Sequence, residues 1–528
     1  MIEKFSFFLA PFRKNIVYFI LTLILSSCVD IIGYSRFESI PKGIFIGLHH
    51  YVLCYFFVLV MSFLPRRFKN VYFSLLIFLL VINFIIDAVC VFSFHFTFDR
   101  EVPAILLGTN SNEALEFVQT FISFGLVTGV ILFGIGLYLS FRYFFRRGLA
   151  LNRYVQYIGL LSVPLAFGAT LLAQSKNWGN VSLNKIYVIM KSTAPPDLSV
   201  YRMKPELTAI ERRSPENIVM IIGESFSKSH SSLYGYDKRT NPRLEELRDS
   251  GFLYVFDQVE SPALTTVPAF KSIMSLYRPE DGDKVKWYEC MKLEDILDAT
   301  GYTTYWISNQ SQKGFHDNVV ATYAMLSDTV IFAGNRFMAM GKEDKDGILV
   351  EEVRKFLPAN QDDKKRFFVI HLMGSHPDFK KRYPPTFECF GAADYPNLPE
   401  TQREKLAAYD NSVLYNDSVV RGLMDLFRDR ETVLFYFSDH ALDIFESRDD
   451  YVGHAIPNNS RSRMAGAAIP FMVYASPAFQ QKFISTMARL KKNVSTPFRT
   501  DNMIYSIMDI IGVRFAKNRD VEKYSLLH

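Results

Sequence analysis

Cysteine is scarce in this chain, and the scarcity excludes a fold held together by a disulfide framework. Five occur in 528 residues. Cys28, Cys54 and Cys90 fall in apolar segments, which leaves Cys290 and Cys389 for a single bridge that spacing alone does not establish. Concentrated basic runs are missing outside the loops that flank the apolar segments. The net charge of +5 therefore gives no support to a nucleic-acid partner. Internal repeats and low-complexity tracts are absent too. A chain of 528 residues then divides into at least two parts, each with its own core.

What the chain has in abundance is apolar sequence, concentrated in its first third. Five stretches, 16–34, 43–64, 71–94, 117–141 and 154–173, are long enough to cross a bilayer as helices. An odd number puts the two ends on opposite sides. Lys4, Arg13, Lys14, Arg66, Arg67, Lys69, Arg142, Arg146, Arg147 and Arg153 collect on one side, against Arg36, Lys42 and Arg100 on the other. Positive loops stay inside, so the amino terminus is expected in the cytoplasm and the remainder outside. Leu25-Ser-Ser-Cys28 resembles a lipoprotein processing site, but the apolar segment continues to Tyr34, so the first span reads as a retained anchor. The expected division is a five-helix membrane domain (1–173), a linker with an amphipathic helix (174–216) and an exported domain (217–528).

In the exported part, apolar runs alternate with helical patterns. Strands are predicted at 217–222, 303–308, 367–373, 433–437 and 471–474, and helices at 242–248, 293–299, 346–356 and 406–427. The alternation predicts an α/β domain with a central, mostly parallel sheet. Such sheets place their chemistry beyond the carboxyl ends of the strands. Three predicted strands end in ligand-type residues: Glu224 in Gly223-Glu-Ser, Asp439 and His440 in Ser438-Asp-His, and His376 in Gly374-Ser-His. His454 in Tyr451-Val-Gly-His adds a fourth motif. Carboxylate with imidazole is a zinc ligand set. A nucleophile is sought in Ser261-Pro-Ala-Leu-Thr265-Thr266-Val-Pro268, where a threonine cap and an early proline mark a helix start suited to an anionic phosphoryl group. Local chemistry does not separate Thr265 from Thr266; Thr265 is preferred.

These motifs resemble, in order, those of membrane-bound phosphoethanolamine transferases of the alkaline-phosphatase and sulfatase superfamily. The resemblance rests on Gly223-Glu-Ser-Phe-Ser-Lys-Ser-His230-Ser-Ser-Leu-Tyr-Gly-Tyr236 with Thr240-Asn-Pro242, His371-Leu-Met-Gly-Ser-His376-Pro with Arg382-Tyr-Pro384, Tyr409-Asp-Asn-Ser-Val-Leu-Tyr415 and Ser438-Asp-His440. It implies an alkaline-phosphatase-like exported domain with one catalytic zinc, and room for a second, held by Glu224, Thr265, Asp439 and His440. Thr265 would carry the phosphoethanolamine. His376 and His454 would bind the transferred phosphate or a second zinc and shuttle protons. Lys313 and His371 would contact substrate, as would Asn110 and Glu113 of the outer loop 99–116. The implied donor is phosphatidylethanolamine from the membrane lipid, and the implied acceptor is a lipopolysaccharide core sugar or lipid A.

Two departures from the family pattern stand out. The zinc motif continues Asp439-His-Ala-Leu442 where the family has Asp-His-Gly-Glu, so a carboxylate has moved, with Asp443 or Glu446 as its replacement. Cysteines framing the nucleophile are missing, as in the branch that modifies core sugars. A phosphoglycerol transferase acting on a periplasmic glucan is the alternative on the same fold. The formylglycine motif of sulfatases is absent around Thr265.

Overall fold

The computed structural model describes residues 7–37, 39–93, 124–174, 197–210, 213–310, 319–334, 345–357, 364–447, 451–454, 460–517 and 520–528. The chain forms two compact units, one holding the described residues up to 174 and the other those from 197 onward.

The first unit is helical: α1 (Ile16–Phe37), α2 (Ile40–Phe63), α3 (Arg66–Ala88), α4 (Phe124–Arg147) and α5 (Arg153–Gln174). Among the described residues four helices, corresponding to α1 to α4, are long and apolar enough to cross a membrane. The 22-residue α5 covers the fifth predicted span and carries Pro164 within it. The Tyr51 hydroxyl of α2 donates to the Gly159 carbonyl of α5 at 2.7 Å. His50 of α2 and Asp30 of α1 meet at 3.1 Å, both buried. A pair of this kind inside an apolar bundle fixes the register of its helices. Cys28 lies in the middle of α1.

The second unit is built on seven strands: β1 (Asn217–Gly223), β2 (Leu253–Phe256), β3 (Thr303–Ser308), β4 (Thr329–Phe332), β5 (Arg366–His371), β6 (Thr432–Ser438) and β7 (Phe471–Ala475). Their order is β2-β7-β6-β1-β5-β3-β4. The pairs β1–β5, β1–β6, β3–β5 and β3–β4 are parallel, whereas β7 runs against both of its neighbours. The expected mostly parallel sheet is therefore present, with one reversed strand that sequence periodicity does not reveal. Five strands were legible as apolar runs; the two edge strands, β2 and β4, were not.

Alternation along β1 divides the core between two faces. Ile218, Met220 and Ile222 pack with Phe270 and Ile273 of α7 (Thr266–Ile273) and with Leu293, Ile296 and Leu297 of α8 (Leu293–Ala299). Val219 and Ile221 pack with Leu244 of α6 (Pro242–Asp249), Leu349 of α9 (Ile348–Arg354) and Val420 and Leu423 of α10 (Glu400–Leu426). Burial on both faces is why β1, β5 and β6 read as unbroken apolar runs. Residues Leu207–Ala209, read from sequence as linker, pair antiparallel with Val513–Phe515 of this unit. Cys290 and Cys389 are free thiols.

Candidate metal centre and active site

The register of the central strands brings the ligand-type residues together. Gly223 pairs with Ser438 and Ile222 with His371, so the residues after β1, β5 and β6 emerge side by side. Glu224, Asp439 and His440, all buried, present ligand atoms that lie within 4.8 Å of one another. His440 Nε2 is 3.0 Å from Glu224 Oε1 and 3.5 Å from Asp439 Oδ2. Its Nδ1 donates to the Ala441 carbonyl at 2.9 Å, which fixes the tautomer and leaves Nε2 free to coordinate.

Both oxygens of Glu224 are oriented. Oε1 accepts from Ser225 Oγ (2.7 Å), and Oε2 accepts from Gln310 Nε2 (3.2 Å) and Thr266 Oγ1 (3.2 Å). Thr266 Oγ1 is also 3.3 Å from His440 Nε2. The structure thus brings Thr266, the other threonine of the pair, to the cluster. Thr265 is the N-cap of α7 in extended conformation, its side chain makes no capping bond, and the hydroxyl that reaches the ligands belongs to the next residue.

The electrostatics describe a cluster in need of positive charge. Burial raises Glu224, but the charge and hydrogen bond of His440 outweigh it and hold the carboxyl well below its ordinary value. Burial, and then the Glu224 charge, push Asp439 up. Burial opposes the charge on His440, yet Asp439 and Glu224 raise it to about 9. Asp439 Oδ2 is buried without a hydrogen-bond partner. Two buried carboxylates, one imidazole and an orphaned oxygen fit a divalent cation, and the donor set of oxygens and one nitrogen is one that zinc accepts.

His376 and His454 stand around the same cluster. The short strand Asp443–Ile444 pairs with Val452–Gly453, which sets His454 beside His440 with ring centroids 4.9 Å apart. Burial lowers His376 to about 4 and His454 to about 3, and each Nδ1 is buried without a partner. Burial thus favours the uncharged form of both rings. His371, expected to contact substrate, lies inside the core. It is fully buried as the last residue of β5, packed against Phe270 of α7 at 4.9 Å, and burial lowers it to about 4. Lys313, Asn110 and Glu113 lie outside the described residues.

The carboxylates proposed to replace the missing one do not touch the ligands. Asp443 Oδ1 accepts from the amides of Glu446 and Ser447, both at 3.0 Å, and Glu446 Oε1 accepts from Ser227 Oγ at 3.0 Å. Asp443 thus folds the loop after β6 on itself, and Glu446 fastens that loop to the one after β1. Sequence reading missed Gln310, the donor to Glu224, which follows β3 by two residues and obeys the strand-end rule that found Glu224, Asp439 and His440. It also missed Asp346, whose oxygens accept from Met373 N (2.9 Å) and Gly374 N (2.8 Å) and so shape the His376 loop. No local signal marks Asp346.

Known proteins resemble this chain in sequence and in fold. Phosphoethanolamine transferase EptC of Escherichia coli K12 is 26% identical over 308 residues, 57% of this chain and 52% of that protein. Phosphoethanolamine transferase CptA of Salmonella typhimurium is 23% identical over 452 residues, 79% of this chain and 76% of that protein. The match thus spans about half the length of EptC and three quarters of CptA. The integral membrane lipooligosaccharide phosphoethanolamine transferase A from Neisseria meningitidis shares the fold, with a TM-score of 0.67 at 18% identity over 96% of both chains. The zinc complex of the C-terminal periplasmic domain of E. coli EptC shares it with a TM-score of 0.55 at 23% identity, over 64% of this chain and 90% of that one. The sulfatase family model matches residues 216–513, from the strand that bears Glu224 past every ligand described above. The chain belongs to the sulfatase family.

Proposed function

We propose that the chain is a zinc-dependent phosphoethanolamine transferase that takes its donor group from phosphatidylethanolamine and delivers it to a lipopolysaccharide acceptor. The relatives named above are called phosphoethanolamine transferases, one of them a lipooligosaccharide phosphoethanolamine transferase, and one domain is a zinc complex. The observation that supports it most is the Thr266 hydroxyl, set 3.2 Å from Glu224 Oε2 and 3.3 Å from His440 Nε2 at the start of α7. Glu224, Asp439 and His440 would hold zinc, which when bound supplies charge neutralisation and a lowered pKa for an adjacent hydroxyl.

The remaining chemistry belongs to the side chains. Thr266 Oγ1 attacks the donor phosphorus, the bond from phosphorus to the diacylglycerol oxygen breaks, and the threonine proton passes to that leaving oxygen. An acceptor hydroxyl then attacks the phosphothreonine, and its proton returns to Thr266. His376 and His454, buried beside the cluster with an unpartnered Nδ1 each, are the imidazoles placed to carry the proton in both halves. Because the Thr265 side chain makes no capping bond, the first-turn N–H groups of α7 remain for phosphoryl oxygens.

The distribution of Lys and Arg supports a cytoplasmic amino terminus and a periplasmic catalytic unit. Tethering that unit to the membrane raises the effective concentration of a lipid donor. Mass spectrometry of protein from donor-loaded membranes tests the proposal. A phosphoethanolamine adduct is expected on the peptide containing Thr266, retained in Thr265→Ala and lost in Thr266→Ala. A phosphoglycerol adduct would move the assignment to the other headgroup, and an adduct that survives Thr266→Ala would sink the nucleophile.

A further inference from the structure

One turn of α10 is packed against the metal site without contributing a ligand. Tyr409 is fully buried, its ring between His230 and Phe379 at 5.0 Å from each. Its hydroxyl donates to the Ser225 carbonyl and accepts from the Ser227 amide, both at 2.8 Å. Ser225 needs that support, because its φ of 59° lies in the left-handed region, which a residue with a Cβ enters only when its surroundings hold it there. In that conformation Ser225 sends Oγ to Glu224 Oε1 (2.7 Å) and its amide to Asp439 Oδ1 (3.4 Å).

The same turn grips the other side of Glu224. Ser412 Oγ donates to Ser375 Oγ at 2.9 Å, and the Ser375 amide donates to the Glu224 carbonyl at 2.9 Å. Between them, Asp410 accepts from His230 Nδ1 (2.8 Å) and from the hydroxyls of Tyr236 and Tyr395 (2.6 Å each), which ties down the rest of the loop after β1. We infer that the turn from Tyr409 to Ser412 is a positioning element, in which Tyr409, acting through Ser225, fixes the carboxylate of Glu224 for metal binding. The inference rests on Glu224 being a metal ligand.

The test uses the full chain in detergent, with zinc affinity measured by chelator competition and the visible absorption of cobalt loaded in place of zinc. Tyr409→Phe removes one hydroxyl. Tyr302→Phe is the control: it also removes a buried hydroxyl, bonded to the Pro215 carbonyl at 2.7 Å, but beside the amino ends of the strands. Tyr409→Phe is expected to weaken zinc binding by about tenfold or more and to change the cobalt spectrum, as loss of a group that orients a ligand does. Tyr302→Phe should lower only the unfolding temperature. Wild-type zinc affinity and an unchanged spectrum in Tyr409→Phe would overturn the inference. Should that variant fail to fold, Ser412→Ala, which cuts the tie through Ser375 and the bond within the turn to the Tyr409 carbonyl, reads the same two quantities. Normal zinc binding by Glu224→Gln would instead sink Glu224 as a ligand and leave the role of Tyr409 without an object, so the two failures are distinguishable.

Discussion

Glu224 shows how tightly one residue can be surrounded by its own backbone. Gly374 has a φ of +54°, and a Cβ there would fall 2.7 Å from both the amide nitrogen and the carbonyl oxygen of Glu224. Gly374→Ala is therefore expected to cost roughly 1–3 kcal/mol, since left-handed backbone and steric overlap add. It should also weaken zinc binding, because Glu224 must move to make room. Thermal unfolding and zinc competition on the same preparation check both, and an alanine variant with wild-type values in each would show that the loop yields without cost. Residues of this kind are half legible. Glu224, Asp439 and His440 announce themselves as polar groups ending apolar strands. The choice between Thr265 and Thr266 depends on where α7 begins, and a boundary error of one residue reverses which side chain faces the metal.

Among the elements, those buried on both faces were legible and those at the edges were not. β1, β5 and β6 are buried at every position, so their composition alone marks them. β4 is half-buried at all four positions, and β2 is buried only at its ends, so neither carries a run that stands out from its loop. The helix α8 was placed with its bounds intact and conceals a different feature. Its second residue, Glu294, is buried, and burial pushes it up to about 8 against smaller opposing pulls from its own amide, Arg202 and Lys292. A carboxyl with a raised folded pKa keeps a proton that the unfolded chain releases. Its contribution to stability is complete below the unfolded pKa of about 4.5 and is lost as pH rises to about 8. Wild type is expected to lose roughly 2–4 kcal/mol relative to Glu294→Gln between about pH 5 and 8. Denaturant titrations of both proteins across that range check it, and parallel pH curves would show that Glu294 titrates normally.

For the whole molecule, hydropathy separates the two units, while the direction in which the chain is threaded through the bilayer rests on the Lys and Arg loops alone. That threading has a chemical reporter in the sequence. Cys389 is exposed in the catalytic unit, whereas Cys54 and Cys90 are buried and Cys28 is partly buried among the apolar helices. A thiol in this state reacts with maleimide when the reagent reaches it. If the positive loops face the cytoplasm, a membrane-impermeant maleimide should label Cys389 in intact spheroplasts, and Cys389→Ser should remove most of the signal. The partly buried Cys290 would account for the remainder. Labelling that appears only after the membrane is broken would place the catalytic unit inside. It would then be separated from the glycolipid acceptors that the proposed transfer requires, however well Glu224, Asp439 and His440 bind their metal.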